Sequence, residues 1–203
     1  MPTQEKTRTQ TLEPTISAEN IVNGVDAAKM LQTIDVIKAN PAVAQFRFKV
    51  SNEWLDGPHN RSTINEFHGA MQDVERTHSF FLHADEHPIL LGHDQGPNPG
   101  EYLLHALAAC VTSTMILHAA ARGIVLEEVE SRVEGDVDAR GFLGLDPSVR
   151  IGFQGIRVNL KIRADVSDEE LQELAGLGRT FSPVLDTLTR GVPVTVEAQR
   201  MSK

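Results

Sequence analysis

The chain has 203 residues, 40% hydrophobic and 23% charged, with 19 Lys plus Arg against 28 Asp plus Glu and a formal net charge of −9. That apolar content excludes disorder over the whole length, and the acidic balance with 5% aromatics excludes an electrostatic nucleic-acid binder, which needs a basic surface for phosphate. The single cysteine, Cys110, excludes a disulfide within one chain and fits a cytoplasmic protein. Met1 to Gln10 lacks the apolar run of a secretory signal.

Residues 1–20 are polar and read as a flexible tail, followed by an N-terminal helical extension over 21–44 and a main domain over 45–203. In the extension Asp26 is a helix cap, Leu31 and Ile34 keep helical spacing, and Pro41 stops the run. Phe46, Phe48 and Val50 alternate as a strand, Ser79 to Ala84 is a second, and Gly57-Pro58 marks a turn between them. Tyr102 to Ala121 carries no charged side chain, about the ~20 residues that a membrane span needs. Its His105, Thr112, Ser113, Thr114 and His118, with many alanines, instead predict a helix buried in protein and no membrane partner.

That helix opens with Asn98 as N-cap, Pro99 at its first position and Glu101 at its third, and Gly123 stands just past its end. Alternating Val129, Ser131, Val133, Gly135 and Val137 predict a strand, as do Ile156, Val158, Leu160, Ile162 and Ala164. Ser167 to Glu170 is a capping box for a second helix, Ser182-Pro183 opens a third that stops at Gly191, and Val192 to Val196 closes as a strand. The sum is an α+β fold with antiparallel sheets packed around central helices.

The run NPGEYLLHALAAC resembles the peroxidatic-cysteine helix of the OsmC/Ohr family, the osmotically inducible and organic-hydroperoxide-resistance proteins. FSPVLDTLTRGVPVTVEA is similar to that family's second cysteine motif, and GFLGL and IRVNLKIRADV lie in the expected order between them. The resemblance covers roughly residues 45 to 200. It implies an OsmC-like α+β intertwined homodimer with its active sites at the interface. The implied activity is thiol-dependent reduction of organic hydroperoxides, with Cys110, Arg61 and Glu101 as catalytic candidates and no cofactor or metal.

Two features depart from that pattern. Ser182 stands at the resolving-cysteine position, and a hydroxyl forms no disulfide, so a Cys110 sulfenate would need an external thiol reductant. Serine also suits a plain N-cap before Pro183. Gly100 occupies the family's glutamate position; Glu101 follows it, but nine residues at ~100° each set Glu101 across the helix from Cys110.

Cys110 lies ~13 Å from the helix start, on a face with Leu103, Ala106, Leu107, Ser113, Thr114 and Leu117. An apolar setting keeps a thiol inert unless a cation arrives, so a small structural cysteine remains an alternative. Arg61 is the candidate cation, or else an ordinary strand arginine. His83, Asp85, Glu86, His87, His93 and Asp94 lack zinc spacing and read as a solvated acidic loop. His105 is ~140° round the helix from Cys110 and His118 is ~12 Å along it, so neither serves the thiol as a base. Two functions follow. One is a one-cysteine peroxidase or redox-responsive protein acting on hydroperoxides. The other is a peroxidase-inactive relative binding a small apolar ligand at the dimer interface.

Overall fold

The computed structural model describes residues 21–201, so the expected tail at residues 1–20 lies outside it. A short hairpin opens the described chain: β1 (Ile21–Val22) pairs antiparallel with β2 (Val25–Asp26) through Asn23-Gly24. Both turn residues have positive φ, 54° and 76°, the geometry for which Asn-Gly is suited. The Asn23 amide donates to the Ile124 carbonyl at 2.9 Å and its oxygen accepts from the Leu126 N–H at 2.8 Å. Helix α1 (Ala27–Ala39) follows, capped by Asp26, which accepts from the Lys29 N–H, and Pro41 begins a separate single turn.

The first sheet holds β3 (Arg47–Phe48), β4 (Ser51–Asp56), β5 (His59–Gly69) and β6 (Gln72–Ala84). Strand β5 is central and antiparallel to the rest, with β6 along one edge and β3 and β4 sharing the other. The strand expected at Phe46 to Val50 shrinks to two residues, and the one expected at Ser79 extends back to Gln72, because β5 supplies pairing along nearly its whole length. Phe46, Phe48 and Phe67 stack on one another with centroids 6.0–6.4 Å apart. Phe48 is nonetheless 74% exposed and Trp54 73%, since no helix of the described residues covers this sheet.

The core lies in the second half. Helix α2 (Pro99–Ala121) buries Leu107, Val111, Met115 and Ala119, a stripe spaced by four residues. Against it pack β7 (Leu126–Asp136), paired antiparallel with β8 (Gly155–Ala164), and helices α4 (Asp168–Phe181) and α5 (Pro183–Arg190); the short α3 (Ala139–Phe142) lies between the strands. Met115, Ala119 and Leu174 form the fully buried centre, with Val129, Leu160 and Ile162 packed on it. The far face of β7 and β8 is an ionic ladder that includes Arg157–Asp136, Lys161–Glu130 and Arg163–Glu128.

Two expectations are corrected here. The helix expected to be buried in protein has, within one chain, an open, uncharged side at His105, Ala106, Ala109, Ser113 and Leu117. Val192 to Val196 forms no strand; the segment has no neighbouring strand in the described residues, and its three valines are all exposed.

Candidate functional site

Asn98 and Glu101 set the start of α2. The Asn98 side chain accepts from the Gly100 N–H at 2.7 Å, while the Glu101 carboxylate accepts from the Asn98 N–H at 2.8 Å. Each such contact satisfies an otherwise unpaired donor and is worth about 1 kcal/mol. Glu101 is thus the acidic member of a capping box. Gly100 leaves room that Phe153 uses: a Cβ there would sit 3.3 Å from the Phe153 ring and 2.9 Å from the Asn98 oxygen. A glutamate at 100 requires that ring to move.

Cys110 is half-buried at the edge of the open face, one residue from the buried Val111, and its carbonyl accepts from the Ser113 hydroxyl. Ser182 is fully buried between α4 and α5, where its hydroxyl accepts from the Leu185 N–H at 3.2 Å. It therefore works as the N-cap that the Ser-Pro pair announces. Arg61 lies on β5, beside Glu53 of β4 and the His83 position of β6. Its Nε donates to the Glu53 carboxylate at 2.8 Å, and its guanidinium sits 5.5 Å from the centroid of the Phe81 ring. Among the described residues no hydrogen bond or ion pair joins any two of Cys110, Arg61, Glu101 and Ser182.

The loop read as solvated and acidic contains a buried anchor. Asp85 is 0% exposed and accepts from the N–H groups of Glu86, His93 and Gln95 at 2.8–3.1 Å. Burial opposes its charge, but those three donors and the nearby His59 outweigh burial and hold the carboxyl below its usual range. His83 bonds His59 ring to ring at 2.9 Å. Among the described residues no group of three or more His, Cys, Asp or Glu has metal-binding geometry. His118 stacks on Phe181, with centroids 4.7 Å apart; burial first, and then Arg122, lower its pKa from the usual 6.5.

A long uncharged helix with one thiol, packed between a two-stranded antiparallel sheet and two C-terminal helices, defines a class of small α+β proteins. The profile of the OsmC-like protein family matches residues 92–197, more than half of the chain, and the chain belongs to that family. Solved structures agree in fold. An OsmC-like protein from Mycoplasma pneumoniae is 20% identical with a TM-score of 0.54, over 72% of this chain and 89% of that one. One from Vibrio cholerae is 9% identical with a TM-score of 0.53, over 70% and 94%. A Psychrobacter arcticus protein described by osmotic stress and detoxification is 11% identical with a TM-score of 0.53, over 70% and 88%. No curated protein matches.

Proposed function

We propose that the chain is a cytoplasmic, homodimeric one-cysteine peroxidase that reduces organic hydroperoxides at Cys110. The observation that supports this reading is the place of the only thiol: on the central helix of an OsmC-like fold, half-buried beside an uncharged face that solutes can reach. The Cys110 thiolate attacks the outer peroxide oxygen, the O–O bond breaks, and the alkoxide takes a proton to leave as alcohol. Cys110 becomes a sulfenic acid. One external thiol then displaces water to form a mixed disulfide, and a second releases Cys110 and carries away the disulfide. Arg61 is the cation that steadies the thiolate, reaching it once the first sheet is docked in the dimer, and Glu101 fixes the helix start.

The second reading, a peroxidase-inactive binder of a small apolar ligand, is favoured by the ion pair that already occupies Arg61 with Glu53. Intact-mass measurement after cumene hydroperoxide and dimedone separates the two. A dimedone adduct on Cys110, hydroperoxide consumption driven by dithiothreitol, and loss of both in Cys110→Ser are expected. Arg61→Ala should slow alkylation of Cys110 at neutral pH by about tenfold or more, the effect of removing an opposite charge within reach. A thiol that yields no adduct and ignores Arg61→Ala overturns the peroxidase, leaves Cys110 structural and makes the binder the preferred reading.

A further inference from the structure

At the start of α2, six or more residues before Cys110 along that helix, lies a cavity of about 650 Å³ that the peroxidase chemistry leaves unused. This is the size of a small-molecule site. Leu104, Val137, Phe142, Ile151 and Phe153 are among its apolar walls, and Cys110 is not in its lining. The charged side chains of its lining are acidic, with the imidazole of His87 beside them. Asp85, Glu86, Asp94 and Glu101 line the cavity, and no lysine or arginine does. Their carboxylates are not equally free. Asp85 is saturated by three backbone donors, while Glu86 accepts from the Asn98 amide and Glu101 from the Asn98 N–H, each through one oxygen. The Asp94 carboxylate has no hydrogen bond or ion pair among the described residues. The helix N-terminus, which elsewhere attracts anions, is already answered here by Glu101.

We propose that this cavity binds an apolar molecule bearing one primary ammonium group. The apolar walls take the chain, and Asp94, with the remaining oxygens of Glu86 and Glu101, takes the cation. A carboxylate-headed molecule of the same length meets like charge and is rejected. Gly100 belongs to this site as well, because the Phe153 ring that forms one wall stands where a side chain at residue 100 would be.

Calorimetric titration of the full chain at low salt with n-octylammonium, n-octanoate and 1-octanol tests the assignment. Octylammonium should bind once per chain, octanol about tenfold more weakly, and octanoate not at all. Asp94→Asn keeps a residue that tolerates the φ of +57° found there; it should weaken octylammonium about tenfold and leave octanol unchanged. Gly152 lines the cavity with nothing within 4 Å of where its Cβ would be, so Gly152→Phe adds a ring at the cavity wall without a clash at that Cβ and should weaken both. Octanoate or octanol binding as tightly as octylammonium, octylammonium unaffected by Gly152→Phe, or no heat with any probe, overturns the proposal. These results are independent of whether Cys110 reacts with peroxide.

Discussion

Single residues carry two lessons. His118, stacked on Phe181 and beside Arg122, resists protonation in the folded chain, so the unfolded chain takes up the proton first as pH falls. The contribution of this group to stability is therefore complete above the usual 6.5 and is lost as pH drops through and below it. Denaturant midpoints measured from pH 7.5 down to 5 should fall, and His118→Phe, which keeps the stack, should flatten that decline; an unchanged slope refutes it. Asp85 teaches the reverse lesson about legibility. In sequence it is one acid among histidines, and nothing in side-chain pattern announces that the N–H groups of residues 86, 93 and 95 converge on it. The caps at Asp26, Asn98, Ser167 and Ser182 were legible, because each needs only a residue type at a fixed offset from its helix.

Among elements, α2 and α4 cross closely in the core. A Cβ on Gly178 would lie 2.9 Å from the Val111 carbonyl and 3.1 Å from the Met115 Cβ, so the helices approach through the missing side chain. Two turns of helix are not needed to find a control: Gly176, on the same helix, has nothing within 4 Å. Thermal melts should show Gly176→Ala raising stability by up to ~1 kcal/mol through helix propensity. Gly178→Val should lower it by ~1–3 kcal/mol through overpacking. Equal effects of the two would remove the close-crossing argument. The helices were read from their caps and stop signals and the β7 and β8 strands from alternation, one face of each strand being committed to this core. The C-terminal valines kept the alternation of a strand, but alternation does not say where the neighbouring strand comes from, and the described chain offers none.

At the scale of the molecule the two halves are unequally finished. The half built on α2 has a closed centre. The other is a sheet whose Phe46, Phe48, Trp54 and Phe81 lie more than half exposed; the chain also has a helix face without charge and a tail of outward valines, Val196 among them at 89%. Apolar surface on this scale marks an interface. A second copy is the occupant expected of it, and light scattering should give about twice 22.3 kDa at micromolar concentration. Charge placed on the open face by Ala109→Glu should shift the population toward monomer, and a wild-type mass near 22.3 kDa rules the dimer out. How Arg61 relates to Cys110 was not legible in the sequence, because the two stand on different elements, β5 and α2, and spacing along the chain gives no distance between them.

The Asn23 clasp has a consequence in time. Its partners stand 101 and 103 residues further along, and a ribosome adding ~5–20 residues each second takes roughly 5–20 s to reach them. The hairpin is thus fastened only after the whole of α2 has been synthesised, and a nascent chain that ends before Ile124 carries the hairpin and α1 without this clasp.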